Sequence, residues 1–145
     1  MDCAAFSKAR RCACGNIRRA TRSLTQYYDG ILKPSGIRST QFSVLLNIAL
    51  IEGITNGELA ELLVMDQTTV TRNLSSLKRT GFIEFASGNN DARKKCLRLT
   101  STGQAKLAEA LPLWEIAQKR IEDDLGPDRF HEMLKTFSHL VTLTK

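Results

Sequence analysis

Residues 66–80, with the sequence DQTTVTRNLSSLKRT, have two sides of opposite chemical character. At about 100° per residue, Val70, Leu74 and Leu77 fall together on one side of a helix, and this pattern predicts the buried face. The opposite side is small, hydroxylic and cationic, and it comprises Thr68, Arg72, Ser75 and Arg79, flanked by Thr69, Thr71 and Ser76. Small side chains permit close approach to a duplex, hydroxyls bond phosphates or base edges, and arginine can bind guanine through two hydrogen bonds. The polar side therefore predicts contact with the major groove of DNA.

An ordinary amphipathic helix with a polar outer face fits the same residues, so the neighbouring elements decide between the two interpretations. Thr55 and Glu58 have the spacing of a reciprocal hydrogen-bonded pair at a helix start, which predicts a short helix before this one. Asp66 can cap the second helix, and Gly81 follows its last turn. The two helices indicate a helix-turn-helix. Further candidate DNA contacts lie at the two helix starts, at Asn56 and Gln67.

A β-hairpin is predicted directly after the second helix. The segments FIEFA (82–86) and KCLRL (95–99) alternate in polarity, as strands with one buried face do. Gly88 and two asparagines between them favour a turn. A helix-turn-helix followed by a hairpin is the arrangement of a winged helix, and the predicted fold class is mainly α with this one small β-hairpin.

The segment that joins the two strands, GNNDARKKC (88–96), is rich in cations. A charge run of this kind is commonly a solvated loop. Beside the predicted DNA-contacting helix, however, Arg93, Lys94 and Lys95 lie within reach of phosphates, and an arginine can enter a narrow, electronegative minor groove. A free Asp91 would repel phosphate, so we expect Asp91 to pair with Arg93 and to orient its guanidinium group.

Helices are also predicted on both sides of the winged helix. Apolar residues at steps of three and four predict one helix from about Ala4 to Leu32. The segment 40–50 is nearly all apolar, which predicts a second helix in the core. Thr100 can cap a long helix that Pro112 should kink, and a last helix ends near Thr144. The first and the last two helices carry apolar stripes that a domain of about 60 residues cannot cover, which indicates dimerisation.

Composition excludes several classes of protein. The 145-residue chain has a net charge of +6, which favours a polyanionic partner. No segment approaches the roughly 18 apolar residues that span a membrane, and the N-terminus lacks the apolar core of a secretory signal, so we expect a cytoplasmic protein. The cysteines lack zinc-site spacing, no glycine-rich phosphate loop occurs, and no nucleophile lies near His131 or His139. We therefore expect no metal, no cofactor and no enzymatic activity.

Three segments of the chain resemble the multiple antibiotic resistance regulator (MarR) family of bacterial transcription factors. They are LKPSGIRSTQFSVL, MDQTTVTRNLSSLKRTGFIEF and DARKKCLRLTSTGQ, the last with Asp91, Arg93, Leu99, Thr100 and Gly103 in the family's wing pattern. The resemblance covers essentially the whole chain. It implies a single subunit, 1–145, in which 37–103 form the DNA-binding winged helix. Residues 1–36 and 104–145 then form a helical dimerisation region that interlocks with a second copy.

The resemblance also implies a partner and a mode of regulation. A two-fold homodimer would present its two DNA-contacting helices to successive major grooves of a pseudo-palindromic operator in double-stranded DNA. Family members are commonly repressors that small phenolic ligands or cysteine oxidation release. The alternative function is a winged helix that serves protein interaction or RNA binding and recognises no operator.

Candidate sensor residues lie in the first predicted helix. Cys14 and Tyr28 match the reactive thiol and a supporting tyrosine of the family's organic hydroperoxide regulators, whereas Arg18 and Ser39 stand where tyrosines are expected. At a rise of about 1.5 Å per residue, Cys14 and Tyr28 lie roughly 21 Å apart along one helix. The two can therefore meet only across a dimer interface. Cys12 and Cys14 point apart if both lie within one helix. Their alternative role is that of small hydrophobic residues in the dimer core.

A phenolic ligand would lie between the dimerisation helices and the winged helix. The candidate residues for such a site are Tyr27, Tyr28 and Arg18. The tyrosines fit equally well as packing residues, and the sequence does not identify an effector.

Overall fold

Helices form most of the chain in the computed structural model, which describes residues 7–87 and 94–144. The helices are α1 (Ala13–Leu32), α2 (Ser39–Leu50), α3 (Asn56–Leu62), α4 (Gln67–Arg79), α5 (Ser101–Leu125) and α6 (Pro127–Leu143). A 3-10 turn at Lys33–Ser35 joins α1 to α2, and the strands β1 (Ile83–Ser87) and β2 (Lys95–Leu99) pair as an antiparallel hairpin. The predicted fold class is therefore confirmed.

The first long helix begins later than its apolar pattern predicts. Residues 7–9 make a separate helical turn, and Cys12 before α1 has a non-helical backbone with φ −55° and ψ 120°. The side-chain amide of Asn16 donates to the carbonyl oxygen of Arg10 at 3.1 Å. In a continuous helix that carbonyl would accept from the backbone N–H of Cys14, so the side chain competes with helix formation. The prediction of one continuous helix from Ala4 is wrong at residues 10–12, and its first residues lie outside the described chain.

The side of α4 that the sequence predicts to be buried anchors this helix in the core. Val70, Leu74 and Leu77 expose at most 1% of their surface. The cluster around them includes Leu45 of α2, Leu59 of α3, Ile83 of β1, Leu97 of β2, Leu32 of α1 and Ala110 of α5. Because these contacts fix the rotation of α4 about its own axis, the opposite side must face solvent.

Backbone hydrogen bonds join the hairpin to the helix-turn-helix. The strands β1 and β2 pair over their full length. The N–H of Leu97 in β2 donates to the carbonyl oxygen of Ile54 at 2.8 Å, just before α3, and Thr55 forms a β-bridge with Cys96. The strand β2 is therefore fixed relative to the start of α3.

The junction between β2 and α5 is closely packed. Thr100 caps α5, since its hydroxyl oxygen accepts from the N–H of Gly103 at 3.0 Å, and its own proton is donated to the carbonyl oxygen of Gly81. A Cβ atom on Gly103 would overlap the carbonyl oxygen of Phe82. Only glycine fits this position, so α5 docks directly on the corner that follows α4.

The outer helices leave apolar surface uncovered in the single chain. None of the 17 residues of α6 is buried, and Leu32 is the one buried residue of α1. The helix α5 continues through Pro112 from Ser101 to Leu125. The exposed apolar side chains of these helices include Ile17, Leu24, Leu111, Ile116, Leu134, Phe137 and Val141.

The turn between α3 and α4 holds a valine in the left-handed conformation. Val64 has φ 52° and is the one non-glycine residue with positive φ in the described chain. The N–H of Val64 donates to the carbonyl oxygen of Glu61, and that of Met65 to Ala60, which is the Schellman pattern of a helix end. The helix α4 ends in the same pattern with Gly81 at φ 74°. Valine is strained there by about 1–2 kcal/mol, and packing does not offset the strain because Val64 is 60% exposed.

We expect Val64→Gly to raise the free energy of unfolding by about 0.5–1 kcal/mol, because relief of strain exceeds the added entropy of the unfolded chain. Gly81→Ala is the reciprocal control. An added Cβ at Gly81 meets no atom within 4 Å, so the substitution introduces backbone strain alone and should lower stability by about 1 kcal/mol. Urea unfolding of both variants measures the two changes. A Val64→Gly variant less stable than the parent would contradict this account.

Candidate nucleic-acid interface

The side of α4 opposite the buried stripe is exposed along the whole helix. We call this surface the outer face. It consists of Gln67, Thr68, Thr69, Thr71, Arg72, Ser75 and Arg79, all of them exposed. The structure thus brings the predicted residues of α4 together on one surface.

Two hydroxyls of the outer face donate within the helix-turn-helix itself. Asp66 caps α4, because its Oδ1 accepts from the backbone N–H of Thr69 at 2.9 Å and its Oδ2 accepts from the Thr69 hydroxyl at 2.6 Å. The Ser75 hydroxyl donates to the carbonyl oxygen of Thr71 at 2.8 Å. The sequence pattern treats all hydroxyls of this face alike, but Thr69 and Ser75 direct their protons inward.

Arg72 stands in the middle of the outer face, on the side turned away from the core. Within residues 7–87 and 94–144, no side-chain hydrogen bond or ion pair engages its guanidinium group. Lys78 of the same helix differs, because its Nζ lies 5.3 Å from the centre of the Phe85 ring. Among the described residues, Arg72 therefore has a free guanidinium group, which is the group that can bind a base edge with two hydrogen bonds.

Asn56 lies where α3 meets the outer face of α4. Its Nδ2 donates to Oγ1 of Thr71 at 3.1 Å. Its Oδ1 is buried and accepts no hydrogen bond within the described chain. The sequence predicts Asn56 as a DNA contact, and in the structure one donor of its amide bonds Thr71. No sequence signal indicates this contact, since it joins two different helices.

A reciprocal pair fixes the start of α3, as the sequence predicts. The Thr55 hydroxyl oxygen accepts from the N–H of Glu58 at 3.2 Å, and the Glu58 carboxylate accepts from the Thr55 backbone N–H at 2.8 Å. The bonds from the backbone and hydroxyl of Thr55 hold the pKa of Glu58 below its ordinary value, and the charge of Lys94 lowers it further. Lys94, which directly precedes β2, is therefore near enough to the start of α3 for its charge to act on Glu58.

The described part of the hairpin places two of the four predicted wing residues. Lys94 and Lys95 are exposed, and Lys95 pairs with Ser87 on the last rung of the ladder. Asp91 and Arg93, for which the sequence predicts a pair, lie outside the described residues. The structure thus places these two predicted lysines beside the helix-turn-helix.

The predicted tyrosines lie between α1 and α5. The Tyr28 hydroxyl donates to Oε1 of Gln118 at 2.6 Å, and burial, together with nearby Tyr27 and Glu122, raises the pKa of Tyr28. The Tyr27 ring packs edge-on against Tyr28 with 5.7 Å between ring centres, and Arg120 lies 5.9 Å above the Tyr27 ring. Sequence reasoning missed Gln118 and Arg120, because these contacts form only once α1 and α5 pack together.

The cysteines are not arranged as the sequence predicts. Cys12 precedes α1, so the expectation that Cys12 and Cys14 both lie within an intact helix is wrong. Both thiols are exposed in the single chain, whereas Cys96 is buried, and Arg18 is also exposed. Cys14 and Tyr28 lie near opposite ends of the same helix, so a single chain does not bring them together.

The described residues form neither a metal cluster nor a membrane-spanning helix. Among residues 7–87 and 94–144, no three His, Cys, Asp or Glu side chains lie close enough together to bind a metal ion. None of the described helices has the length and apolar composition that crossing a bilayer requires.

Comparison with known proteins identifies similar chains. Residues 37–95 match the model of the MarR family. An HTH-type transcriptional regulator of Bacillus cereus is 32% identical over 80% of this chain and 77% of its own length. The M. tuberculosis transcriptional regulator MosR in complex with DNA is 38% identical, with a TM-score of 0.80 over 92% of this chain and 96% of that one. The transcriptional repressor CouR of Rhodococcus jostii, bound to a 23-mer DNA duplex, is 25% identical, with a TM-score of 0.79 over 95% and 96%.

The Asp66 cap gives the stability of the helix-turn-helix a pH dependence. The bonds from the Thr69 hydroxyl and backbone N–H lower the pKa of Asp66, so its stabilisation is complete above the ordinary carboxyl pKa of about 3.9. That stabilisation is lost as the pH falls through the lower folded value. We expect Asp66→Asn to have a lower melting temperature than the parent at neutral pH. The difference between the two melting temperatures should become smaller below about pH 4. Thermal melting across pH measures it, with exposed Glu115→Gln as the control. A gap that does not change with pH would contradict the role of the charge.

Proposed function

Because this chain belongs to the MarR family of transcriptional regulators, we propose that it binds a pseudo-palindromic operator in double-stranded DNA as a homodimer. The observation that carries this proposal is the outer face of α4. Arg72 and the hydroxyl residues of this face are exposed, while the other side of the helix is buried in the core. The DNA complexes of MosR and CouR, two similar structures, support the same role for this chain.

The residues of the interface divide into two roles in this proposal. Arg72 reads a base edge in the major groove, together with Gln67 and Thr68, and Thr71 bonds a base edge or a phosphate. Arg79, Lys94 and Lys95 bind phosphates and hold the register of the helix on the duplex. Arg93 reaches the minor groove and Asp91 orients it, as the wing sequence predicts. Thr69 and Ser75 contribute as acceptors, since their protons are donated within the protein.

The uncovered surface of the outer helices supports dimerisation through 1–36 and 104–145. A groove of about 470 Å³ runs between α1 and α6, and its lining includes Ile17, Leu24 and Phe137. A helix with an apolar stripe and no buried residue, such as α6, gains its stability from packing, so a second copy would cover it. A two-fold axis then sets the two α4 helices about 34–36 Å apart, one turn of the duplex.

Repression and its release complete the proposed function. A dimer bound across a promoter blocks transcription, and CouR, a similar protein, is a transcriptional repressor. The effector would be an oxidant that reaches the exposed Cys12 or Cys14, or a phenol that binds near Tyr27, Tyr28 and Arg18. A peroxide would convert a thiol to a sulfenic acid, with water or an alcohol as the other product.

Arg72→Ala and Arg79→Ala form a matched pair on one helix. If Arg72 reads a base, we expect its removal to reduce discrimination between operator and random duplex by about 1–3 kcal/mol. Arg79→Ala should weaken both duplexes alike and lower the salt slope by about one unit. Mobility-shift titrations at several stated salt concentrations measure both effects. Equal binding of the parent to unrelated RNA and to duplex DNA would favour the RNA-binding alternative instead.

Cys14→Ser tests release by oxidation. We expect hydrogen peroxide and organic hydroperoxides to lower the operator affinity of the parent, because they oxidise the exposed thiol of Cys14 in α1. The Cys14→Ser variant should keep its affinity, and Cys96→Ser should respond as the parent does because Cys96 is buried. If the parent keeps its full affinity after oxidation, or if Cys14→Ser responds equally, Cys14 is not the sensor.

A further inference from the structure

The amide of Asn56 reaches the outer face of α4 from a different helix. Its Nδ2 donates to Oγ1 of Thr71 at 3.1 Å, and the residue itself is half-buried. Thr71 directly precedes Arg72, and both are exposed on the outer face. One side chain of α3 is therefore bonded to a residue of the proposed DNA-contacting surface without belonging to that surface.

The burial of one end of the Asn56 amide determines which of its atoms faces Thr71. The Oδ1 atom is buried and has no partner within the described chain. Rotating the amide by 180° would leave a buried NH₂ group unpaired instead, and buried unpaired N–H groups are rarer in proteins than underused carbonyl oxygens. The amide therefore presents its donor to Thr71.

This hydrogen bond sets the role of the Thr71 hydroxyl. A threonine hydroxyl has one proton to donate and two lone pairs to accept with. Accepting from Asn56 occupies one lone pair, and within residues 7–87 and 94–144 the Thr71 proton has no acceptor. Thr69 and Ser75 differ, because Asp66 and the Thr71 carbonyl take their protons. Thr71 is left as a donor on an exposed surface.

We propose that Asn56 is a positioning residue that holds Thr71 as a hydrogen-bond donor toward an acceptor atom of DNA. The acceptor is a phosphate oxygen or an acceptor on a base edge, since both groups accept from a hydroxyl. The bond to Thr71 stabilises the fold little on balance, because the unpaired, buried Oδ1 of the same amide costs free energy. The inference rests on the proposed function and adds a residue that acts on DNA only through another.

Five variants test the proposal. Asn56→Ala removes the donor, and Thr71→Val removes the hydroxyl with little change of shape. The double variant measures their coupling. Asn56→Asp keeps the size of the side chain but offers only acceptors, so Thr71 would donate to it and turn its proton away from DNA. Asn56→Asp in the Thr71→Val background isolates the repulsion between the new carboxylate and phosphates.

The measurements are titrations with a promoter duplex that the parent protects in footprinting and with a shuffled duplex of equal length, together with urea unfolding. We expect Asn56→Ala and Thr71→Val each to weaken promoter binding about fivefold to tenfold, and the double variant to bind no more weakly than the weaker single variant. Asn56→Asp should weaken binding by a larger factor in the parent than in Thr71→Val. The unfolding midpoint of Asn56→Ala should equal or exceed that of the parent.

The two duplexes also identify the acceptor. A loss confined to the promoter duplex indicates a base edge, and an equal loss on both duplexes indicates a phosphate. Additive losses in the double variant, or promoter binding by Asn56→Ala equal to that of the parent, would overturn the inference while the proposed function stands. A parent that protects no duplex DNA would overturn both.

Discussion

The burial of one side of α4 is the constraint on which the rest of the structure depends. Val70, Leu74 and Leu77 are almost fully buried in a cluster with residues from the three helices before α4 and both strands after it. A helix held in this way cannot rotate, so the direction of Arg72 is set by packing on the far side of the helix rather than by anything that touches Arg72. The hydrogen bond from Leu97 to Ile54 extends the same fixed frame to the hairpin. The positions of α4 and β2 are thus set by core packing and backbone hydrogen bonds before any ligand binds.

Local patterns in the sequence predict the elements of this frame because local physics determines them. The period of the apolar residues predicts the buried side of α4, and the Thr55 and Glu58 spacing predicts the capping pair that the structure contains. The late start of α1 was missed because the Asn16 side chain competes with the backbone for the Arg10 carbonyl. The contacts of Asn56 with Thr71 and of Tyr28 with Gln118 join separate helices, and no local pattern encodes the position of one helix relative to another. The sequence predicts that the hydroxyl residues of the outer face are exposed. It does not predict that Thr69 and Ser75 donate their protons within the protein.

Close contacts and hydrogen bonds join the winged helix to the outer helices. Gly103 at the start of α5 leaves no space for a Cβ against Phe82, and Thr100 bonds back to Gly81 at the end of α4. At the other side, Nζ of Lys106 donates to the carbonyl oxygen of Ser35 at 2.9 Å, which ties α5 to the turn after α1. In the proposed dimer, a shift of α1 or α5 would therefore move the corner that carries α4 and β1. This connection offers a physical route by which oxidation or a ligand near α1 would reach the DNA interface.

The central claim is that two copies of this chain present two α4 helices to one duplex. Hydroxyl-radical footprinting on the promoter DNA that the purified protein selects tests it most directly, with the number of chains in the complex determined on the same sample. The account predicts two chains and two symmetric protected half-sites, with centres about 10–10.5 base pairs apart or a multiple of that spacing. A footprint without two-fold symmetry, a complex with one chain, or no protection of duplex DNA would contradict it.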